Sequence, residues 1–359
     1  MKKKKSNKNL IFFAIESLAL LLSILFLVVV SKITDNVQKV RIDDSTIVIN
    51  EKKEEPQRAA EKVETAVEVK KETEKYRNIA LFGVDSREKQ LSSGTRTDTI
   101  IIASINETTK EVKLVSVFRD TYLNTGDDQY RKANAVYAVG GPEQAINMLN
   151  MNLDLDITDY VTIGFLGLMD TVDAVGGIEI DVTESEIEHL NNYQICMSEE
   201  LGRNYIPITQ PGLQTLNGLQ ATAYCRIRYT AGSDFKRTER QRMVIMQIVE
   251  KAKTMPLSDL NKIIDSILPK VSTSLDIEEM IAILPQLAQY EIVNSEGFPF
   301  ESNRAVGTIG KKGSCVIPDS LDENVILLHE LLFDEKEYVP TDSVKKYSDA
   351  ILQETSPYL

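Results

Sequence analysis

The sequence contains no tryptophan, only two histidines and only three cysteines in 359 residues. His189 and His329 leave too little material for a Ser-His-Asp triad or a His-rich zinc site. Cys196, Cys225 and Cys315 allow one disulfide and one free thiol, but a chain of this length does not require such a staple. No cysteine stands at the exit of the long apolar run that precedes Ser31, so lipid attachment has no acceptor there, and no small-x-small cleavage site follows Val30. Positive charge is also outnumbered, with 41 Lys and Arg against 54 Asp and Glu. The formal net charge is −13, and it falls to −18 from Leu10 onward once the five N-terminal lysines are set aside. This disfavours polyanion binding in general, nucleic acid included, so a phosphate site would have to be a local basic cluster on an acidic protein.

What the chain does have begins with that apolar run. Residues 10–30, LIFFAIESLALLLSILFLVVV, are long enough as a helix to cross a hydrocarbon layer of roughly 30 Å. Five lysines and no acidic residue precede the run, and the positive-inside rule therefore places residues 1–9 in the cytoplasm. The expectation is an uncleaved single-pass membrane anchor with the remaining chain on the extracytoplasmic side. Glu16 lies within two turns of the cytoplasmic end, where protonation or snorkelling accommodates it. Residues 31–75 are rich in Lys, Glu, Asp and Val without aromatics and read as a charged stalk, a marginal helix or solvated spacer.

At Tyr76 the texture changes to dense apolar patterning. NIALFGVDSR, TDTIIIASIN, EVKLVSVFRDTYL, DYVTIGF, GGIEIDV and TAYCRIRYT read as strands, whereas KANAVYAVGGPEQAINMLNMNL and KRTERQRMVIMQIVEKAKTM carry helical spacing. Strands mixed with helices predict a layered α/β domain over 76–255. The short polar segment NETTK at 106–110 is a hairpin signal, so the sheet is expected to be mixed rather than all parallel. Residues 256–334 read as a C-terminal helical extension packed on this domain, and 335–359 as a loose polar tail.

Chemistry concentrates at strand ends. GVDSR at 83–87 and RTDT at 96–99 put Asp85 at the end of one strand and Asp98 at the start of the next, a pair able to serve a hard cation such as Mg²⁺, or Mn²⁺ in its place. Asp beside Gly is equally ordinary turn chemistry. Arg119 and Asp120 end the apolar run EVKLVSVF, an edge favoured by catalytic residues, although a structural Arg–Asp pair would fit the same spacing. Lys132 is ambiguous by itself.

The basic cluster required by the overall charge occurs at 226–242, which holds six basic residues and two acidic ones. Arg226 and Arg228, two apart on an expected strand, would share a face. On the helix that follows, Arg237, Arg240 and Gln241 would share a face near an N-terminus whose dipole also favours anions, with Ser233 or Asp234 as the cap. Arg242 is expected to face solvent, and Met243 and Met246 to fill core. Several guanidiniums packed together repel one another, and a polyanionic ligand is the simplest compensation. A network of structural ion pairs is the alternative.

FGVDSR, RTDT, SVFRDTYL, KANAVYAVGG, DAVGGIEIDV, LNGLQATAYCRIRYT and DFKRTERQR, in that order over residues 77–253 and behind a single anchor, resemble the LytR-CpsA-Psr family of cell-envelope proteins. The resemblance implies a mixed sheet flanked by helices and an apolar tunnel for lipid. It also implies a phosphotransferase that moves a glycopolymer from a polyprenyl-diphosphate donor to a peptidoglycan acceptor with Mg²⁺. Carried over by residue, it implies that Asp85 and Asp98 hold the metal and that Arg96, Arg119, Lys132, Arg226, Arg228, Arg237 and Gln241 line the diphosphate site. Phe118, where the family commonly has Pro, and Lys236, where it commonly has Gly, depart from the pattern. Asp120 or Asp234 would act as base or orient an arginine, completing a catalytic set with Arg119 and Arg237. A hydrolase using water as acceptor and a non-enzymatic sensor of lipid-linked phosphate are the rival functions.

Overall fold

The computed structural model describes residues 42–51, 76–86, 91, 93–126, 128–228 and 233–358, all within one compact unit. The expected tail at 1–9, the anchor at 10–30 and most of the stalk lie outside the described residues. Among the described residues no helix is long and apolar enough to cross a membrane.

Strand β1 (Tyr76–Val84) and β2 (Thr97–Asn106) are nearly continuous apolar runs because both of their faces are covered. Ala80, Phe82, Ile100 and Ile102 join one core cluster, whereas Leu81, Ile101 and Ala103 turn to another on the opposite face. β3 (Glu111–Val117) returns through the expected hairpin, in which Asn106 Oδ1 accepts from the backbone N–H of Thr108 and Thr109. Phe118 then donates its N–H to Phe298, and the chain turns at Arg119 and Asp120 before β4 (Tyr122–Asn124) and β5 (Tyr130–Lys132). The single strand expected over EVKLVSVFRDTYL is thus two strands with the Arg-Asp pair in the turn between them.

Helix α1 (Asn134–Leu153), kinked at Gly140 and Gly141, leads to β6 (Asp159–Gly164) and α2 (Phe165–Ala174). β7 (Ile178–Val182), α3 (Glu184–Leu201), β8 (Gly212–Leu216) and α4 (Gly218–Tyr224) follow. β7 and β8 pair antiparallel and pack with α2, α3 and α4 around a separate apolar cluster. Helix α4 overturns the strand expected at TAYCRIRYT. Asn217 and Gln220 form a reciprocal capping box that starts a helix. Gly218 lets that helix close on α2, since a Cβ there would lie 2.1 Å from the Met169 carbonyl oxygen. Arg226 therefore sits in the turn after a helix and Arg228 in the irregular segment just beyond it, rather than on a strand.

After α5 (Ser233–Lys253) the chain forms α6 (Leu257–Ile267), β9 (Val271–Thr273), α7 (Ile277–Ile283), β10 (Glu291–Phe298), β11 (Arg304–Ile309) and β12 (Gly313–Pro318). It ends with α8 (Leu321–Phe333) and α9 (Asp342–Thr355). The central sheet has the order β10-β3-β2-β1-β6-β9, with β1–β6 and β3–β10 parallel and the other pairs antiparallel. The sheet is mixed, as expected. α1, α8 and α9 pack on one face, and α5 packs on the other through Ile245 and Met246.

Two expectations about the C-terminal part are corrected. Residues 256–334 are not a helical appendage, because β9 and β10 supply both edge strands of the central sheet. Residues 335–359 are not a loose tail, because α9 buries Val344 and Ile351 in the main core. Residues 42–51, within the expected stalk, also dock. Val48 donates its N–H to Asn147 Oδ1 at 2.8 Å, Asn50 reaches Asp154 at 2.6 Å, and Ile42 and Ile47 pack on the core. All three cysteines are free thiols, with Cys225 and Cys315 buried.

Candidate functional site: an arginine-lined apolar cavity

A cavity of about 500 Å³ lies between the sheet and α5. Leu81, Val161 and Ile163 of the sheet, Phe165 and Leu168 of α2, and Val244, Ile245, Ile248 and Val249 of α5 form its apolar wall. Asp85, Asp98, Arg226, Arg228, Arg237 and Gln241 form its polar part. Along α5 the lining passes from Arg237 and Gln241 to Val249, a distance of about 18 Å at the helical rise. Polar and apolar ends are therefore separate, and the cavity is amphipathic along its length.

At the polar end Asp98 and Asp234 draw the arginines together. Arg119 Nη1 is 2.6 Å from Asp98 Oδ1, and Arg228 Nη2 is 3.5 Å from Asp98 Oδ2. Asp234 lies 3.3 Å from Arg237 Nη1 and 3.8 Å from both Arg119 and Arg228. Asp120 continues the network, 3.5 Å from Arg119 Nε and 3.2 Å from Lys132 Nζ. Arg226 instead stacks its guanidinium on Phe165, 4.8 Å from the ring centroid, and on Tyr193 at 5.3 Å. Of the residues singled out in the sequence, Asp85, Asp98, Arg226, Arg228, Arg237 and Gln241 line the cavity, and Arg119, Asp120, Lys132 and Asp234 surround its polar end by ion pairing. Arg96 is exposed and does not line the cavity.

Arg237 is the unusual member. It is among the largest fully buried side chains, and neither its Nε nor its Nη1 makes a hydrogen bond. Gln241 Oε1, also buried, lacks a hydrogen-bond partner too. Burial pulls the Arg237 guanidinium down to about 10, with Asp234 acting in the opposite sense and Arg119 and Arg228 adding to the burial effect. At neutral pH the group remains charged, and an anion in the cavity would offset its desolvation.

Asp98 is shifted in the other direction. Burial would raise its pKa, but Arg119, Arg237 and Arg228 outweigh that effect and hold it below the usual carboxylate value. A carboxylate depressed in the folded state contributes stability that is complete above its unfolded pKa, about 3.9, and is lost as pH falls through the lower folded value. Urea denaturation of Asp98→Asn should therefore show a stability deficit that is constant from pH 7 to pH 5 and shrinks below about pH 3.9. A deficit independent of pH down to pH 2 would contradict the pairing.

Asp85 is exposed at the cavity and Asp98 half-buried beside it. Two carboxylates with phosphate oxygens and water make an all-oxygen donor set of the kind a hard divalent cation accepts. Among the described residues no group of three or more His, Cys, Asp or Glu side chains is placed to hold a metal by itself. The two carboxylates fit a hard divalent cation only where further oxygen ligands are supplied from outside this side-chain set.

Three contacts escaped the sequence reading. Arg240 does not join Arg237 in lining the cavity but turns to Glu186 of α3, 2.7 Å away, in a pair that is almost fully buried. The sequence signals only the local half of this arrangement, since TESE at 183–186 is a capping-box pattern in which Glu186 accepts from the Thr183 N–H at 2.9 Å, and no local pattern names Arg240 as its partner. Arg242 is buried rather than solvent-facing, with Nε 2.7 Å from Ser295 Oγ of β10. Met243, expected in the core, is exposed. Phe118, one of the two departures from the family pattern, packs edge-on against Phe235.

The fold and the site together define an α/β domain that encloses a long apolar cavity ending in a cluster of arginines. The LytR_cpsA_psr family model matches residues 42–313, and the chain belongs to this family. It is similar to the polyisoprenyl-teichoic acid–peptidoglycan teichoic acid transferase TagU of Enterococcus faecalis, with 32% identity over 206 residues, covering 56% of this chain and 63% of that protein. It is also similar to biofilm regulatory protein A of Streptococcus mutans, with 29% identity over 273 residues, covering 72% of this chain and 62% of that protein. The aligned part of the chain thus spans less than two thirds of the length of these curated relatives. Among solved structures, TagT with bound octaprenyl pyrophosphate lipid superposes with a TM-score of 0.53 at 20% identity, covering 73% of this chain and 92% of that one, a likeness of fold.

Proposed function

We propose that this chain is a membrane-anchored, extracytoplasmic phosphotransferase that moves a phosphate-linked glycopolymer from a polyprenyl-diphosphate carrier to peptidoglycan. The observation that carries this reading is the buried Arg237, whose guanidinium lacks full hydrogen bonding at the polar end of an apolar cavity. An isoprenoid would occupy the apolar wall, and its diphosphate would meet Arg226, Arg228, Arg237 and Gln241. The name of the Enterococcus faecalis relative and the lipid bound by TagT support the same substrate class. The apolar run at 10–30 supplies the anchor in this reading, which keeps the donor lipid and the site at one membrane surface.

Catalysis is charge stabilisation and positioning. A hydroxyl of the acceptor attacks the phosphorus that bears the glycan. A new phosphorus–oxygen bond forms, the bond to the bridging oxygen breaks, and polyprenyl phosphate leaves with its electron pair. Arg119, Arg228 and Arg237 hold the phosphate oxygens, their planar forks suited to paired hydrogen bonds. Asp120 or Asp234 receives the hydroxyl proton, and both already orient Arg119. Asp85 and Asp98 would hold Mg²⁺, or Mn²⁺ in its place, which when bound neutralises phosphate charge.

The direct test incubates the purified full chain with a polyprenyl-diphosphate glycopolymer, with and without peptidoglycan fragments. The expected product is glycopolymer joined to peptidoglycan through a phosphodiester, with release of polyprenyl phosphate. Equal consumption of donor without fragments would identify a hydrolase, and binding without turnover would identify a sensor. Either result would overturn the proposal.

A further inference from the structure

The segments bearing Arg119 and Arg237 come from distant parts of the chain, and their like charges repel across the cavity's polar end. What braces them lies outside the cavity. Phe118, immediately before Arg119, is buried, and Phe235 stands between Asp234 and Arg237 in the first turn of α5. The two rings meet edge-on, with centroids 4.7 Å apart and planes at 78°. Arg304, the first residue of β11, covers both rings, its guanidinium 4.0 Å from the Phe235 centroid and 5.0 Å from that of Phe118. Its Nη1 donates to the Pro299 carbonyl at 3.1 Å, which fixes the angle of the fork. Among the described residues Arg304 forms no ion pair; the rings and one carbonyl make the contacts to its guanidinium, and Glu301, Glu239 and Glu296 act on its charge from farther away. Phe118 in turn is seated on Gly297 of β10, where a Cβ would come within 2.4 Å of the ring.

We propose that Arg304, Phe118 and Phe235 form a positioning clamp that sets the Asp234–Arg237 turn against Arg119 and so determines how tightly the site grips a diphosphate. The inference rests on the proposed diphosphate reading and extends it to residues that touch no substrate. Aromatic rings suit this task because they have few rotamers, and a guanidinium stacked on them adds attraction without introducing a carboxylate that would compete for the site's arginines. The clamp also gives the C-terminal part of the chain a role in the site, since β10 and β11 supply its outer half.

The test measures calorimetric affinities of the full chain for farnesyl diphosphate and for farnesol. Arg304→Met should weaken farnesyl diphosphate by about tenfold, the scale of a partly desolvated cation–π contact, while leaving farnesol affinity unchanged. Arg304→Lys should restore most of the loss because it keeps the charge over the rings, and Phe235→Leu should reproduce it. Wild-type affinity for farnesyl diphosphate in both Arg304→Met and Phe235→Leu would overturn the clamp. So would an equal loss for farnesol, which would mark general loosening of the fold. Failure of the wild-type chain to bind farnesyl diphosphate would instead overturn the proposed function, and this inference with it.

Discussion

Arg119→Ala is expected to lower glycopolymer transfer by about a hundredfold to a thousandfold, the range seen when one preorganised charge-stabilising donor is removed. The size of the effect follows from position. Arg119 contacts Asp98 at 2.6 Å, Asp120 at 3.5 Å and Asp234 at 3.8 Å, so its removal strips a countercharge from three carboxylates and withdraws a group that the proposed function assigns to phosphate. Arg119→Lys should recover little, because one ammonium cannot meet three carboxylates that are spread around a planar fork. Asp98→Ala should fall by a comparable factor, since Arg119 and Arg228 both lose the group that aims them. Initial rates of purified variants, with thermal unfolding measured alongside to exclude lost folding, provide the check. Near-normal turnover in both alanine variants would sink the assignment.

The largest effect on stability is expected at Glu186. Its ion pair with Arg240 is 2.7 Å long, with side chains only 6% and 3% exposed. Arg240 also donates Nη1 to the Ile227 carbonyl at 3.1 Å, and Glu186 holds the Thr183 N–H and hydroxyl at the start of α3. Glu186→Ala leaves a guanidinium buried without its partner and should cost about 3–5 kcal/mol in urea denaturation. The double variant Glu186→Leu with Arg240→Met should recover most of that, because two apolar groups of similar volume carry no desolvation penalty. A double variant as unstable as Glu186→Ala would refute this account. Burial raises the Glu186 pKa, but the hydrogen bond from the Thr183 N–H and the charge of Arg240 bring it below its ordinary value. The gap between wild type and Glu186→Ala is therefore full above about pH 4.3 and narrows as pH falls through the folded value.

This pair also shows where reading the sequence reaches its limit. Local signals were strong for β1, β2, the hairpin at Asn106, α1 and α5, whose periodicity or turn residues are set by near neighbours. They failed at α4, where Cys225, Arg226, Ile227 and Arg228 alternate as a strand would, yet the capping box at Asn217 commits the preceding residues to a helix. They failed again at β9, which has three residues and too few positions to show any alternation. β10 paired with β3 only because the far end of the chain returns to the sheet, a contact without a local signature.

The sequence by itself determined that an acidic chain would concentrate its arginines at 226–242 and at a strand end, and that these would belong to a mixed α/β domain. Charge, strand length and helical spacing are properties of neighbours along the chain and can be read there. The tertiary structure alone decided which arginine does what. Arg237 enters the cavity, Arg240 crosses to Glu186, and Arg242 turns to Ser295. Helical spacing would give α5 one buried face and one wet one. Packed between the sheet, α3 and β10, the helix has its arginines directed to three different partners, and the position of each is set by the carboxylate, hydroxyl or cavity that the rest of the fold brings to it.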